Sequence, residues 1–278
     1  MGLSAPCQAW DFQTKFLAAT GKYTCILFDN RGNGHSDSPI GLYTTSQLAD
    51  DALDLLDVFE WKTKVHLVGI SMGGMICLEM VDKQVNRFSS LTLTSTSARR
   101  FLPTWTAVST FTKIALLYRE PRDQINAVMG LVYPSAWLDQ VPSDPAHHQY
   151  ETNRDMAIST FIRHMGQSRL QPLHGNLAQV SACLRHHFSD ARLIKLQQSG
   201  LPILVVTGTH DNLVPPASSF HLNRILKPRR FHVFHGSGHD IPEEQTSRYN
   251  QILLEHLTFS STFYPPTSSP TFIAEAKL

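Results

Sequence analysis

Ser71 is the residue whose sequence surroundings most clearly favour nucleophilic chemistry. It lies at the centre of Gly69–Gly73, which reads G-I-S-M-G, after a predicted strand and before a predicted helix. Glycines two positions before and after the serine permit a tight turn in which backbone segments crowd together. Such a turn presents the hydroxyl at the carboxyl end of the strand. The start of the following helix offers the Met72 N–H to a developing oxyanion.

A serine hydroxyl is a weak nucleophile unless a neighbouring base removes its proton. The sequence contains 14 histidines; His66 and His232 fall within predicted strands, and His147-His148 and His186-His187 fall within the predicted cap. His239 is the preferred base because it ends the glycine-rich turn Gly236–His239, just beyond the last predicted strand. His235, which precedes the same turn, is the weaker alternative.

The base in turn needs an acid that orients it, and Asp211 is the preferred candidate. It lies in Gly208–Pro215, just past the fourth predicted strand; its alternative role is that of an ordinary turn or N-cap residue. Asp240 is a weaker candidate, since neighbours in sequence rarely face each other in this way. Serine, aspartate and histidine would then all follow carboxyl ends of strands, where open parallel sheets place their sites.

The elements that position these residues alternate along the chain. Five β-prone runs separated by helical patterns predict an α/β fold with a mostly parallel sheet and helices on both faces. The predicted strands are Tyr23–Asp29, Lys64–Gly69, Ser90–Ser95, Pro202–Thr207 and Arg230–Phe234. Apolar spacings of three and four predict helices over 48–59, with an N-cap within Thr44–Ser46, over Met75–Val81 and over Gln245–Leu257.

The alternation stops from about Arg99 to Ser199, where helical patterns dominate, including Met156–Met165 and Leu177–His187. This predicts a helical cap inserted into the core. Residues 1–98 and 200–259 would form the two parts of the core, 99–199 the cap, and 260–278 a disordered tail rich in Ser, Thr and Pro. An apolar face from Phe101 to Leu117 predicts either contact with a hydrophobic substrate or packing on the core.

A resemblance to a known family rests on further residues. Asp29–Ser36, which reads D-N-R-G-N-G-H-S, resembles the D-x-R-G-x-G-x-S loop after the fourth strand of α/β-hydrolases, and Ser71, Asp211 and His239 follow that superfamily's order. The resemblance covers about residues 2–258, and the cap is its least specific part. It implies a serine-hydrolase fold with a helical cap and neither a cofactor nor a metal.

The first residues look like the oxyanion loop that follows the third strand in this superfamily, because Gly2-Leu3 is followed by Trp10. The resemblance implies that the backbone N–H groups of Leu3 and Met72 form the oxyanion hole. Met1 stands where the family usually has histidine. Because the donor is a backbone group, the chemistry can survive that change.

A larger departure is that the first three strands of the family have no counterpart. The third would lie between Tyr23–Asp29 and Lys64–Gly69, and without it buried backbone groups would lack partners at about 1–3 kcal/mol each. We expect an N-terminal segment to be missing from this sequence. The alternatives are that the two strands close up or that the protein is a poorly active remnant.

Composition excludes several other classes. The 278 residues carry a formal net charge of +1, which gives no strong field for nucleic acid or anionic membranes. No apolar run approaches the ~18 residues of a spanning helix. The N-terminus lacks the features of a signal peptide, and this favours a cytoplasmic location. The four scattered cysteines predict free thiols; the oligomeric state is not predicted.

The favoured activity is therefore esterase-like or lipase-like. A serine hydrolase would cleave a carboxylic ester or related acyl substrate, small and hydrophobic, through an acyl-enzyme. Thioester and carbon–carbon bond hydrolases use the same triad and stay open, whereas the dehalogenase and epoxide-hydrolase branches use aspartate as nucleophile. The alternative from another class is a catalytically weak or silent binding protein, because the N-terminal strands are missing.

Overall fold

The computed structural model describes residues 1–100, 103–144, 147–263 and the main chain of 274–275. Its main sheet contains the strands β2 (Val65–Ile70), β3 (Phe88–Thr94), β4 (Ile203–Gly208) and β5 (Arg230–Phe234), in the order β2-β3-β4-β5. All three pairings are parallel. Every residue of β3 and β4 is buried, as expected for parallel strands covered on both faces.

Strand β1 differs from its prediction. Only Ile26–Leu27 of the predicted strand Tyr23–Asp29 is a strand in the structure. This short strand does not join the main sheet. It pairs in parallel with β6 (Ala274–Glu275), with Ile26 opposite Ala274. The longer strand prediction is therefore wrong in its extent, because a β-prone run becomes a strand only where a neighbouring backbone supplies hydrogen bonds.

Twelve helices accompany these strands in the described part of the chain. They are α1 (Asp11–Ala19), α2 (Thr45–Val58), α3 (Met72–Gln84), α4 (Trp105–Leu116), α5 (Pro121–Val132), α6 (Ser135–Leu138), α7 (Asn153–Gly166), α8 (Leu173–Arg185), α9 (Asp190–Gln198), α10 (Pro216–Leu226), α11 (Ile241–Glu244) and α12 (Thr246–Phe263). Thr44 caps α2 in a capping box with Gln47, which confirms the predicted start.

Helix α12 runs further than its prediction of Gln245–Leu257. It ends at Phe263, so the prediction that disorder begins at Ser260 is wrong for residues 260–263. Ser260 is buried, and its hydroxyl donates to the carbonyl of His256 at 2.8 Å, which satisfies a polar side chain within the helix. The rest of the predicted disordered tail lies outside the described residues, except for β6.

The region from 99 to 199 contains α4 to α9 and, among its described residues, no strand. This agrees with a helical insertion, although the boundaries 1–98, 99–199 and 200–259 stay a prediction. None of the helices within the described ranges is both long and apolar enough to cross a membrane. All four cysteines are free thiols, as predicted.

The sheet separates two hydrophobic clusters. On β4, Ile203 and Val205 belong to one cluster, whereas Leu204 and Val206 belong to the other. Since successive strand side chains point to opposite faces, both faces of the sheet are covered. Residues of α2, α3, α9 and α10 pack on the first face, and α1 and α12 pack on the second. This confirms the predicted α/β fold with helices on both sides.

Candidate active site

The turn at Ser71 has an unusual backbone conformation. β2 ends at Ile70 and α3 begins at Met72, so Ser71 alone connects strand and helix. Its φ of 54° and ψ of −122° place a non-glycine residue where L-amino acids are rarely found. Such strain costs about 1–3 kcal/mol and is found mainly at functional sites whose surroundings hold it in place.

Hydrogen bonds and close packing fix this turn. The Ser71 N–H donates to the Thr94 carbonyl at 3.0 Å, and the Thr96 hydroxyl donates to the Ser71 carbonyl at 2.7 Å. A Cβ added to Gly69 would lie 2.5 Å from the Gly73 carbonyl oxygen, and one added to Gly73 would lie 2.8 Å from the Met1 oxygen. Both positions therefore require glycine, because neighbouring backbone atoms leave no room for a Cβ at either one, as the motif predicts.

His239 and Asp211 form a buried pair. The His239 Nδ1 and the Asp211 Oδ2 are 2.8 Å apart. The other carboxylate oxygen, Oδ1, accepts the backbone N–H groups of Leu213 and Val214 at 2.8 and 2.9 Å. Asp211 is thus held from both sides, and its position fixes the orientation of the imidazole with Nδ1 as donor.

Ser71 comes to the same edge of the sheet as this pair. It follows β2, Asp211 follows β4 and His239 follows β5, all at the carboxyl ends of parallel strands. Ser95, at the end of β3 between them, donates its hydroxyl to the His239 carbonyl at 2.8 Å and its N–H to the Val206 carbonyl at 3.0 Å. Among the described residues, the Ser71 hydroxyl has no hydrogen bond, so its contact with His239 stays a prediction.

The surroundings of His239 raise the pKa of its imidazole. Burial favours the neutral ring, but the charge of Asp211 and its hydrogen bond outweigh that effect, and Asp240 adds to it. The backbone N–H of His239 also donates to the Val132 carbonyl at 2.8 Å. The base is therefore tied to the end of α5 as well as to the sheet.

The weaker candidates, His235 for the base and Asp240 for the acid, have surroundings different from those of the His239–Asp211 pair. His235 is exposed, and Asp240 lies with its Oδ2 3.4 Å from the Tyr133 hydroxyl. Sequence reasoning missed the supporting contacts from Ser95 and Val132. A hydroxyl at a strand end and a backbone carbonyl carry no distinctive sequence signal.

The predicted oxyanion loop lies against the nucleophile turn. A Cβ on Gly2 would be 3.3 Å from the Ser71 Cβ and 3.8 Å from its Oγ. The Asn30 amide donates to the Met1 carbonyl at 3.2 Å, and the Ser4 N–H donates to Gln179 Oε1 at 3.0 Å. Met72 begins α3, and the N–H of a first helical residue has no acceptor within its helix. The oxyanion roles of Leu3 and Met72 stay a prediction.

The Asp29–Ser36 loop is held by its own aspartate. The carboxylate of Asp29 accepts the N–H of Cys7 at 2.7 Å through Oδ1 and the N–H of His35 at 2.9 Å through Oδ2. Arg31 forms an ion pair with Asp51. Because these contacts join loop segments to one another, the loop acts as a structural support behind the oxyanion loop.

The apolar face predicted on the cap is exposed. Trp105 is 82% exposed and Leu117 66% exposed, so the expectation that this face packs on the core is wrong for them. Phe101 lies outside the described residues. Helix α4 therefore exposes a hydrophobic surface. Among the described side chains of this helix, only that of Ala107 is buried.

Comparisons with known proteins agree with this architecture. A family model described as "alpha/beta hydrolase fold" matches residues 7–246. A putative carbamate hydrolase, RutD, of Variovorax paradoxus is 27% identical over 259 residues, covering 92% of this chain and 89% of that protein. The 3-oxoadipate enol-lactonase 1 of Acinetobacter baylyi is 27% identical over 243 residues, covering 87% of this chain and 81% of that protein.

A solved structure shows the same fold at lower sequence identity. The thermophilic esterase from Thermogutta terrifontis superposes with a TM-score of 0.71 at 23% identity, covering 93% of this chain and 88% of that chain. At this identity the likeness extends to the fold and not to the substrate. The fold, the family match and the relatives' hydrolase names together support a hydrolase-type enzyme.

Proposed function

The chain belongs to the α/β-hydrolase fold family, and from this premise we propose that it is a serine hydrolase of carboxylic esters or related acyl compounds. The observation that carries the proposal is the buried His239–Asp211 pair at 2.8 Å, at the same sheet edge as the strained Ser71 turn. Three strands end at this edge, and each supplies one of the side chains that the reaction needs.

In the proposed reaction, Ser71 Oγ attacks the substrate carbonyl carbon while His239 Nε2 takes the hydroxyl proton. The oxyanion is stabilised by the N–H groups of Leu3 and Met72. Collapse of the tetrahedral intermediate breaks the bond to the leaving group, which receives the proton from His239. Water then attacks the acyl-enzyme with the same base, releasing the acid and regenerating Ser71. Asp211 holds the ring and stabilises its charged form throughout.

Two features support an acyl substrate with hydrophobic character. One relative is named as an enol-lactonase and another as a putative carbamate hydrolase, and lactones and carbamates both contain an acyl carbonyl group. The exposed Trp105 on α4 and Leu117, just after that helix, also offer apolar surface for such a substrate to meet. We therefore place small hydrophobic esters ahead of thioesters and of compounds cleaved at a carbon–carbon bond.

A fluorophosphonate probe tests the nucleophile directly. We expect a single covalent adduct, located at Ser71 by peptide mass spectrometry, because the probe reacts with a serine only when a base activates it. Ser71→Ala is expected to abolish labelling. Ser247→Ala, at an exposed serine in α12, serves as the matched control and should label like the parent chain. A folded protein that takes up no probe would favour the silent binding protein, and an adduct at another serine would contradict the assignment.

The pH dependence of hydrolysis tests the base. His239 must be neutral to accept a proton, so kcat/KM for an ester should rise with pH and level off above the His239 pKa. Because Asp211 raises that pKa from its ordinary value of 6.5, the midpoint should lie above 6.5. Rates measured from pH 5 to 9, corrected for spontaneous hydrolysis, check this. A midpoint below 6.5, or a flat profile, would contradict the role given to the pair.

A further inference from the structure

The loop that carries His239 is held by a side chain as well as by backbone. It connects β5, which ends at Phe234, to α11, which begins at Ile241. Within this loop, the backbone N–H of Gly238 donates to the Oε2 atom of Glu244 at 2.7 Å. Since this acceptor belongs to a side chain, a substitution can remove it and leave the backbone sequence of the loop unchanged.

Glu244 holds the chain on both sides of His239. Its side chain accepts the N–H of Gly238, the residue before the base. Its own backbone N–H donates at 2.9 Å to the carbonyl of Asp240, the residue after the base. One residue therefore restrains both chain neighbours of His239. A shift of about 1 Å in a reacting group can cost ~10²-fold in rate, so restraint at this point affects the chemistry.

Gly238 is too tightly enclosed to find another acceptor. A Cβ added to it would lie 2.4 Å from the Val132 carbonyl oxygen and 2.9 Å from the Pro134 Cδ. A Cβ added to Gly208, at the end of β4, would lie 2.3 Å from the Gly238 carbonyl oxygen. The glycine is buried between these two segments. Without Glu244, its N–H would be a buried donor that lacks a partner, and the loop would have to move to satisfy it.

The carboxyl group of Glu244 is directed at this loop. Glu244 is buried, and the groups that hydrogen-bond to its carboxyl group are the Gly238 N–H and the side chains of Ser237 and Gln245, all of them neutral. Burial raises the pKa of this carboxyl group, whereas the three hydrogen bonds lower it. Gln245 also donates to the Ser237 hydroxyl at 3.1 Å. The start of α12, the end of α11 and the loop of the base therefore form one hydrogen-bonded network.

We propose that Glu244 is a positioning residue for the base: through the Gly238 N–H, its carboxyl group holds the His239 ring where Nε2 can accept the proton of Ser71. This inference rests on the proposed hydrolysis, since it gives Glu244 a part in the same reaction. Glu244 acts through the backbone of the loop. Removing its acceptor should therefore lower kcat and leave KM near the parent value, because the base moves while the substrate keeps its contacts.

Two substitutions at Glu244 separate the hydrogen bond from the shape of the side chain. Glu244→Gln keeps an oxygen that can accept the Gly238 N–H, so kcat should stay within about threefold of the parent value. Glu244→Met has a similar size but only a weak acceptor, and it should lower kcat by about 10–100-fold at an unchanged KM. Glu243→Met makes the same change at the neighbouring glutamate, whose carboxyl group contacts Tyr133, and should turn over like the parent.

The rates are expressed per active site, counted by fluorophosphonate labelling that is run to completion. A loss of folded molecules then lowers the number of labelled sites and does not lower kcat, so a merely structural role leaves the turnover per site unchanged. Parent-like turnover per site in Glu244→Met would overturn the proposal. So would a Glu244→Gln variant as slow as Glu244→Met, because an acceptor at this position would then not be sufficient.

The Gly238 amide gives a second measurement, which requires no activity. The chain has 15 glycines, so selective ¹⁵N-glycine labelling keeps the NMR spectrum simple. The Gly238 amide should be protected from hydrogen exchange in the parent and in Glu244→Gln, and less protected in Glu244→Met. Free exchange of this amide in the parent would contradict the proposal even if Glu244→Met does not fold. A folded parent that takes up no probe while Gly238 is protected would instead reject the proposed hydrolysis.

Discussion

Asp211→Asn is expected to lower kcat for ester hydrolysis by about 10⁴-fold while the protein stays folded. The reason lies in how the carboxylate is held. An asparagine can keep its Oδ1 on the N–H groups of Leu213 and Val214, so its amide nitrogen takes the place of the oxygen that faces His239 Nδ1. Two donors would then face each other unless the ring shifts its proton to Nε2. In that tautomer, Nε2 has no lone pair with which to accept the proton of Ser71.

Asp240→Asn is the matched control for this variant, because it changes the neighbouring aspartate that contacts Tyr133 instead of the His239 ring. Its effect on kcat should be far smaller. The two variants are compared with the parent by steady-state kinetics on a chromogenic ester, with circular dichroism to confirm folding. A larger loss in Asp240→Asn than in Asp211→Asn would reverse the assignment of the acid.

Gly69→Ala is expected to abolish most activity and to destabilise the protein, although the added group is a single methyl. The new Cβ would lie 2.5 Å from the carbonyl oxygen of Gly73, 2.6 Å from its carbonyl carbon and 2.7 Å from the nitrogen of Gly74. These atoms are backbone at the start of α3 and cannot move aside alone, so the whole turn must shift. A displacement of about 1 Å at a nucleophile can cost ~10²-fold in rate, and overpacking costs ~1–3 kcal/mol.

Gly130→Ala makes the same chemical change where nothing opposes it. Gly130 is exposed within α5, and its Cβ would have no neighbour within 4 Å. This variant should be more stable by about 0.5–1 kcal/mol and as active as the parent, because alanine favours a helix over glycine. Thermal denaturation and fluorophosphonate labelling rates measure both variants. Parent-like behaviour in Gly69→Ala would mean that the turn is far less constrained than its contacts indicate.

The local sequence was sufficient for the main elements and for the nucleophile turn. The bounds of β5, Arg230–Phe234, coincide with their prediction, and Thr44 caps α2 as expected. The Gly69–Gly73 motif predicted the strand, turn and helix around Ser71. These features depend on side-chain periodicity, capping and glycine geometry, all of which act between residues close in the chain.

Tertiary structure decided what depends on partners distant in the sequence. Tyr23–Asp29 is β-prone throughout, yet two of its residues alone form a strand, because pairing requires a neighbouring backbone that the local sequence does not specify. Ser260 looked like part of a disordered tail, but burial and a bond to the His256 carbonyl extend α12 past it.

For the candidate site, the residue types that follow each strand could be assigned from the sequence alone, and the parallel order of the sheet then brings His239 and Asp211 together. The sequence did not determine that Ser95 and the Val132 carbonyl support the base, or that a cavity separates β1 from β2. The physical reason is the sequence distance over which each interaction acts. Turn and helix signals act over a few residues, whereas hydrogen bonds across a sheet and the filling of its interior depend on where the whole chain places its backbone.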